Sequence, residues 1–370
     1  MRKTVLFLLL LLPAAICADQ TGSPQSAEYC GDCHRAVYDG WKHSAHASAM
    51  ESRLFQDALK MAESDFGSEA RKVCLRCHSP LGLSTGDLAL VRKVTWEGVT
   101  CDYCHSIRDV TVSNTNPVAH VEFTGIKSGP YSDAVSPVHG TMFSRVHTTS
   151  LVCISCHEYR NSLGFPVLTT YSEWKDSPYA KAGQQCQSCH MYAVQGKVVD
   201  VRVTDTKESR INLHQMPGSR SVEQLNKAIR SQMSVVHDGD QLRVTVRLTN
   251  AGAGHYVPTG SPMRQLILEV RLDPYDGGQG AQQERIYART IIDQNGAALQ
   301  REHLSFLRGA RVVKDTRLAP KETRTEDFAF ALPSGKRARV EASLYYFYSP
   351  MATSEAEQKI RFVTMSRLIP

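Results

Sequence analysis

The pentapeptide CGDCH, at residues 30–34, is the first of five short segments that share one pattern. The pattern C-x-x-C-H returns as CLRCH at 74–78, CDYCH at 101–105, CISCH at 153–157 and CQSCH at 186–190. With 11 Cys and 14 His among 370 residues, chance would place on the order of 0.01 copies in the whole chain. Ten of the 11 cysteines belong to the pattern, so the chain is organised around it.

The spacing of the pattern indicates covalent haem attachment. Two thiols three positions apart can each form a thioether with a vinyl group of one haem, and the adjacent imidazole can then bind the iron. The sequence therefore predicts five c-type haems. Their attachment residues are Cys30, Cys33, Cys74, Cys77, Cys101, Cys104, Cys153, Cys156, Cys186 and Cys189. Their proximal iron ligands are His34, His78, His105, His157 and His190.

Three other uses of paired cysteines fit this pattern less well than haem attachment does. A redox dithiol normally occurs once, in a thioredoxin-like context that is not evident in this chain. Zinc does not require a His after every pair, and the gaps of 40, 23, 48 and 29 residues between successive pairs share no common spacing. Structural disulfides in an oxidising compartment are the third alternative. The pattern favours haem over all three.

The N-terminal sequence MRKTVLFLLLLLPAAICADQ has the features of an export signal. Arg2 and Lys3 precede an apolar run at residues 5–12, and small residues precede Asp19. This predicts a signal peptide at 1–18 that is cleaved, and a periplasmic or extracellular protein. The apolar run is too short to span a bilayer. Lipid anchoring through Cys17 is not expected, because Ile16 stands where that processing requires a small side chain.

The pattern of apolar and polar residues changes near residue 232. Residues 19–232 hold all five motifs and little long-range periodicity, which predicts a mainly α-helical or irregular domain with haems as its core. From 233 onward the pattern alternates, as in DGDQLRVTVRLTN at 238–250. This predicts an all-β sandwich of immunoglobulin type at 233–370, with a hairpin loop at 273–283. In the first part, residues 36–66 predict two helices, and several motifs are expected at helix ends.

Four segments that include the flanks of the motifs resemble a known family. They are YCGDCHRAVYDGWKHSAHASAM, EGVTCDYCHSI, TYSEWKDSPYAKAGQQCQSCHM and NAGAGHYVPTG. They resemble the multihaem cytochromes of the cytochrome c-552/4 domain type. The resemblance implies an electron-transfer protein, although some relatives with this haem arrangement are enzymes of nitrogen oxides. The familiar members have four motifs, so their haem pairing does not transfer directly. The family pattern W-x-x-S-x-H-A, which begins here at Trp41, implies His46 as a distal iron ligand.

Nine further histidines can supply the second ligand of each iron. A second imidazole closes the iron to substrates and suits electron exchange, whereas a missing one leaves an open iron that suits catalysis. The predicted distal ligands are His46, His139, His147, His214 and His255, with His120 in reserve. His43, His237 and His303 are expected on the surface or on strands. Methionine is the competing ligand type, with Met191 and Met216 as the nearest candidates.

The charge balance does not indicate nucleic-acid binding. The formal charge is +6, and removal of Arg2 and Lys3 with the signal leaves +4. With the propionates and irons of five haems, the net charge becomes about −1 when oxidised and about −6 when reduced. Lys and Arg residues are therefore expected to pair with propionates.

The sequence favours an exported pentahaem electron carrier that serves redox partner proteins and that could join a membrane-associated complex or an oligomer. One alternative is an oxidoreductase with one open haem that acts on a small nitrogen or sulfur compound. Another is a polymeric extracellular electron conduit. The sequence shows no other recognised catalytic motif, such as a Ser-His-Asp set or a P-loop. An electron carrier is thus favoured over an enzyme.

Overall fold

A computed structural model describes residues 22–204, 206–352, 354 and 358–370. The predicted signal peptide at 1–18 lies outside the described residues. The helices are α1 Ala27–Gly31, α2 Arg35–Trp41, α3 Arg53–Phe66, α4 Ala70–His78, α5 Pro80–Thr85, α6 Cys101–His105, α7 Leu151–His157, α8 Thr170–Lys175, α9 Pro178–Lys181, α10 Cys186–His190, α11 Val222–Ala228 and α12 Glu302–Arg308. Short 3₁₀ turns occupy Lys93–Trp96 and Arg145–Thr148.

The longest helix, α3, shows why the first part folds as it does. Phe55, Leu59 and Ala62 are buried at helical spacing, so one face of α3 packs inward. The helix ends at Gly67, whose φ of 79° is readily adopted only by glycine. The prediction of two helices within 36–66 is confirmed by α2 and α3, which are joined by turns.

Small sheets fill the spaces between the helices of the first part, a feature that the sequence analysis did not anticipate. Four two-stranded sheets pair β1 Ile107–Thr111 with β2 Val118–Val121, β3 Ile126–Gly129 with β4 Gly140–Phe143, β5 Tyr159–Arg160 with β6 Pro166–Leu168, and β7 Ala193–Gly196 with β8 Ser209–Asn212. The strands are two to five residues long, too short for alternation to be read from the sequence.

The second part contains two larger sheets. One has the order β15-β10-β9, with β9 Ile229–Asp238, β10 Gln241–Asn250 and β15 Thr323–Ala331. The other has the order β12-β11-β16-β17, with β11 Gln265–Pro274, β12 Ala281–Tyr287, β16 Ala338–Phe347 and β17 Lys359–Ile369. All neighbours in these two sheets are antiparallel.

One hydrophobic core joins the inner faces of these two sheets. The four alternating residues of β10, Leu242, Val244, Val246 and Leu248, are completely buried, as the sequence predicts. They share a cluster with residues of β11 and β16 from the opposite sheet. Each fully buried Val or Leu contributes about 1.5–3 kcal/mol relative to an exposed one. The hairpin predicted at 273–283 is confirmed between β11 and β12.

The expected boundary at residues 232 and 233 falls inside β9, which begins at Ile229. A further excursion leaves the sandwich between β12 and β15 and forms β13 Arg289–Ile292, α12 and β14 Arg311–Asp315. Ile291 and Leu299 of this excursion share a hydrophobic cluster with Tyr159 and Val167 of the motif-bearing part. The two parts of the chain are therefore in direct contact. None of the helices in the described part is long and apolar enough to cross a membrane.

Candidate haem-binding site

A single cavity of about 2250 Å³ runs through the first part of the molecule. Every cysteine and histidine of the five motifs lines it. Pockets for one drug-sized ligand are roughly 300–1,000 Å³. The cavity is thus large enough for several large ligands, and the attachment residues predicted from the sequence all meet there.

Each motif is presented by a short helix or a helix end. Cys74–His78 closes α4 and Cys153–His157 closes α7, while the third and fifth motifs form α6 and α10 themselves. In the first motif, Cys30 lies in α1 and His34 is the N-cap of α2. One helical turn places both thiols and the imidazole toward the same region, so the expectation of motifs at helix ends is confirmed.

Four of the five proximal imidazoles are oriented by backbone carbonyl groups. Nδ1 lies 2.9 Å from Val198 O in His34, 3.1 Å from Ala49 O in His78, 2.6 Å from Ser128 O in His105 and 2.7 Å from Pro217 O in His190. A carbonyl oxygen can only accept a hydrogen bond, so Nδ1 carries the proton and donates the bond. Nε2 is then left without a proton and can bind a metal. Histidines that bind metals usually donate a hydrogen bond from their other ring nitrogen in this way.

Four of the five predicted distal histidines face a proximal partner across the cavity. The ring centroids are 6.2 Å apart in His34–His139, 6.2 Å in His46–His157, 6.1 Å in His105–His214 and 6.2 Å in His190–His255. Two imidazoles bound on opposite sides of one metal, with metal–nitrogen bonds of about 2 Å, place their ring centres about 6 Å apart. The residues present therefore fit a haem iron between each pair.

The four distal candidates are also held through Nδ1. His139 donates to Gly140 O at 2.9 Å, His214 to Asn212 O at 2.8 Å and His255 to Tyr256 O at 2.8 Å. In His46 the same nitrogen lies 2.7 Å from Met216 Sδ. Nε2 is left available in all four rings, which matches the arrangement on the proximal side.

His147, the fifth predicted distal ligand, is placed differently. Its Nε2 lies 2.9 Å from Cys104 O and its Nδ1 lies 2.9 Å from Ser144 Oγ. Its ring stacks 5.4 Å from that of His105, which already faces His214. Because protein oxygens engage both of its nitrogens, this geometry gives His147 no free nitrogen for an iron.

His78 is the one proximal histidine without a facing imidazole among the described ring contacts. Its ring instead stacks on Phe55, with centroids 3.8 Å apart and planes 9° apart. A parallel ring beside the imidazole holds its orientation, because the metal bond lies in the imidazole plane. Among the described residues, the second motif therefore presents a single imidazole to the cavity where each of the other four motifs has a facing pair.

Burial keeps these imidazoles neutral. It lowers the pKa of His46, His157 and His214 to about 4, from an ordinary value of 6.5. Desolvation is the largest cause in each, and neighbouring histidines add to it. A neutral imidazole is the form that binds a metal, so near pH 7 no proton has to be displaced.

Thiols of different motifs lie next to one another. Three pairs of thiols lie close enough for each member to shift the pKa of the other: Cys30 with Cys101, Cys77 with Cys156, and Cys153 with Cys186. Attachment edges of the first and third motifs are therefore neighbours, as are those of the second and fourth and of the fourth and fifth. The ten motif cysteines form no disulfide in the described structure, and no three His, Cys, Asp or Glu side chains there converge as a metal site of their own.

One short segment, residues 212–217, contacts three of the histidine pairs. His214 faces His105, Met216 Sδ contacts His46, and Pro217 O accepts from His190. Met216 has a φ of 42°, an uncommon left-handed conformation for a side chain of this size. The surroundings therefore hold the sulfur in place against a backbone preference.

The loop that carries His255 approaches the motif-bearing part closely. A Cβ atom at Gly252 would clash with the backbone carbonyl of Lys227, and one at Gly254 would lie 3.1 Å from the Trp174 ring. These two glycines permit the approach of the loop, as the sequence analysis expects of NAGAGHYVPTG.

A buried carboxylate fixes the same loop from the other side. One oxygen of Glu173, in α8, accepts from Arg317 Nη1 at 2.7 Å. The other accepts from Tyr256 N at 3.2 Å and Thr259 Oγ1 at 2.7 Å. Both charged side chains are 6% exposed. This ion pair positions the residue that follows His255, and the sequence carries no local signal for it.

The remaining histidines take structural positions. His120 Nε2 lies 2.6 Å from Thr111 Oγ1 on a small sheet. His237 Nε2 donates to Leu332 O at 2.8 Å. His303 was expected on the surface or on a strand, and this is wrong. It lies on α12, is 3% exposed and contacts Asp65 Oδ2 at 3.0 Å, because α12 packs against α3.

Comparisons with known proteins agree with this geometry. Residues 29–106 match the sequence family described as cytochrome c554 and c-prime. Cytochrome c-554 of Nitrosomonas europaea is 34% identical over 82 residues, which are 20% of this chain and 35% of that protein. The match thus spans about a third of the length of that relative.

The fold as a whole is similar to that of a solved structure. A penta-heme cytochrome c552 from Thermochromatium tepidum superposes with a TM-score of 0.73 and 20% identity, over 94% of this chain and 100% of that one. At this identity the likeness concerns the fold, and it includes the part that carries the two larger sheets. Given the motifs that line one cavity and the matching family segment, the chain is a multihaem c-type cytochrome.

Proposed function

We propose that this chain is an exported pentahaem cytochrome that transfers electrons between redox partner proteins along closely spaced haems. The observation that carries the proposal is the set of four facing imidazole pairs, with centroids 6.1–6.2 Å apart. Two imidazoles saturate an iron and keep its geometry similar in both oxidation states, which suits electron exchange. The haem irons supply the redox chemistry by cycling between their ferric and ferrous states.

The pairing assigns each distal ligand to a motif. His139 serves the first motif, His214 the third, His46 the fourth and His255 the fifth. In three pairs both Nδ1 atoms contact a backbone carbonyl, and in the His46–His157 pair Nδ1 of His46 contacts Met216, so the protein orients these imidazoles before a metal is bound. Preset ligands limit the structural change that accompanies a change of charge on the iron.

The thiol contacts between motifs support short distances between haems. Cys30 and Cys101 place the first and third attachment edges together, and Cys153 with Cys186 does the same for the fourth and fifth. Cys77 and Cys156 bring the second motif to the fourth. These contacts join the first motif to the third, and the second and fifth motifs to the fourth. The two groups meet at Cys104, because burial and the nearby Cys156 both raise the pKa of its thiol. The proposed electron path therefore runs through all five motifs.

The second motif favours a second candidate function. His78 has Phe55 as its ring neighbour and no facing imidazole in the described residues, so the iron bound there keeps one coordination position for a ligand. An open position suits the binding of a small nitrogen or sulfur compound. The four saturated sites would then supply or remove electrons at this fifth one.

The larger sheets support an immunoglobulin-type sandwich. Counted within this part, the first, second and fifth strands form one sheet, and the fourth, third, sixth and seventh form the other. This order corresponds to strands A, B and E against C′, C, F and G of that fold. The sandwich contributes His255, so we assign it to the support of the fifth haem and to contacts with a partner protein.

The proposal also places residues 1–18 in a cleaved signal and the mature protein in the periplasm or outside the cell. Haem attachment to C-x-x-C-H motifs and the basic, apolar N-terminal sequence both support this location. The domains proposed are a pentahaem part up to about residue 228 and the sandwich that follows it.

Intact-mass measurement of the denatured protein tests the haem count. Protein produced with a competent maturation system should carry five covalent haems, an increment of about 3 kDa over the polypeptide from 19 to 370. Alanine at both Cys186 and Cys189 should remove one increment. Fewer than five adducts on the parent protein would contradict the proposal, as would a start of the mature chain elsewhere than near residue 19.

A further inference from the structure

Two arginines share one aromatic ring on the wall of the cavity. The guanidinium carbon of Arg220 lies 4.5 Å from the centroid of Tyr348, and that of Arg264 lies 5.2 Å from it. All three residues line the cavity. Tyr348 is 1% exposed and its hydroxyl donates to Ser219 O at 2.9 Å, so the ring is a fixed platform. Cation–π contacts of this kind orient a guanidinium group without neutralising it.

Neither arginine has a carboxylate partner in the described part of the chain. Arg264 Nη1 is buried and makes no hydrogen bond there. Two other cations on the cavity wall are paired, since Lys127 contacts Asp102 and Lys227 lies 2.6 Å from Glu223. An arginine keeps its charge inside a protein. Arg264 therefore has a buried donor without an acceptor, and the exposed Arg220 places a second positive charge beside it.

The acid beside Arg264 does not complete the site. Glu302 accepts a hydrogen bond from Ser261 Oγ and lies beyond ion-pair distance of Arg264. Burial is the main influence on this carboxyl group and raises its pKa, so its charge is disfavoured. The compensating negative charge has to come from a group that the polypeptide does not provide.

We propose that Arg220 and Arg264 form a binding site for an anionic oxygen group of the carboxylate or oxoanion class. Its source is a propionate of a haem held in the cavity or a free small oxoanion. The inference rests on the proposed function in that haems fill this cavity. Guanidinium groups match the planar oxygens of such anions through paired N–H donors.

The chain positions of the two arginines place the site near the fifth haem. Arg220 follows Pro217, whose carbonyl orients His190. Arg264 belongs to the segment that begins with His255, the imidazole that faces His190. A carboxylate bound by both arginines would therefore connect the segment that follows the fifth motif to the sandwich, next to the His190–His255 pair.

The test compares Arg220→Gln, Arg264→Gln and the double variant with the parent holoprotein. Arg337→Gln is the matched control, because Arg337 also lies over a tyrosine, Tyr275, but does not line the cavity. Spectroelectrochemical titration gives the midpoint of each haem, and calorimetry with nitrite and with sulfite gives binding of free oxoanions. Arg264→Lys and Arg220→Lys keep the charge and serve if a glutamine variant does not fold.

If a propionate is the ligand, one haem should become easier to oxidise in the glutamine variants. A tenfold change in its ratio of oxidised to reduced form corresponds to about 59 mV for one electron. If a free oxoanion is the ligand, the parent should bind a probe and each variant should lose at least tenfold in affinity. Variants that match Arg337→Gln in both measurements would overturn the proposal. Intact mass on the same samples separates this failure from a haem count below five.

Discussion

The thioether sulfur of Met216 lies 2.7 Å from Nδ1 of His46, where the other three facing distal candidates have a backbone carbonyl. A thioether accepts a hydrogen bond only weakly. A weaker acceptor leaves the imidazole less electron-rich, and a less electron-rich ligand favours the ferrous state of an iron bound to it. The His46–His157 site therefore differs from the other three in the atom that accepts the hydrogen bond from its distal imidazole.

Replacement of Met216 should move the potential of this site in opposite directions with different side chains. Met216→Gln offers a carbonyl acceptor and should lower the potential, whereas Met216→Leu removes the acceptor and should raise it. A tenfold change in the relative stability of the two oxidation states is about 60 mV. Spectroelectrochemical titration measures both shifts, with Met365→Leu in the sandwich as control. Equal potentials in the Gln and Leu variants would contradict this role.

The two histidines near His105 should behave differently when removed. His214→Ala should convert one low-spin iron per chain to high spin, because its ring is the one that faces His105 at 6.1 Å. His147→Ala should leave the spin states unchanged and cost about 1–3 kcal/mol through two lost hydrogen bonds. Absorption spectra of the oxidised variants and their unfolding midpoints test both. A high-spin iron in His147→Ala alone would reverse the assignment.

His255 should connect the sandwich to the fifth haem. Its removal in His255→Ala is expected to open one iron, which then binds carbon monoxide when reduced. His237→Ala is the control, since His237 lies on β9 and contacts Leu332 O. If carbon monoxide binding in His255→Ala equals that in the control, the sandwich does not ligate a haem.

The buried ion pair between Glu173 and Arg317 should stabilise the contact between the two parts of the chain. Glu173→Gln leaves a buried guanidinium short of one partner, so the free energy of unfolding should fall by about 3 kcal/mol. Glu223→Gln removes an exposed pair with Lys227, which solvent screens, and should lower the free energy of unfolding far less. Denaturant titration of the two holoproteins gives the comparison. Similar losses in both would mean that the buried pair has no special role.

Local patterns account for the features that could be predicted from the sequence. The attachment residues such as Cys74 and His78 are neighbours in the chain, so one turn of helix brings them together wherever the rest folds. The alternation of Leu242 to Leu248 reflects burial of a single strand face, which also depends on adjacent residues only.

Features that arise from tertiary contacts could not be predicted in this way. His147 and His214 are both plausible ligands in sequence, and only the engagement of the His147 nitrogens by Cys104 and Ser144 separates them. The burial of His303 depends on the packing of α12 against α3, which are more than 230 residues apart in the chain. Arg220 and Arg264 likewise meet only through Tyr348.

We expect two imidazole ligands at four of the irons and one at the iron bound to His78. Low-temperature electron paramagnetic resonance of the fully oxidised protein measures this directly, because it counts low-spin and high-spin ferric irons. The account predicts four low-spin irons and one high-spin iron per chain, with Phe55→Ala leaving that count unchanged. Five low-spin irons, or two or more high-spin irons in the parent protein, would contradict it.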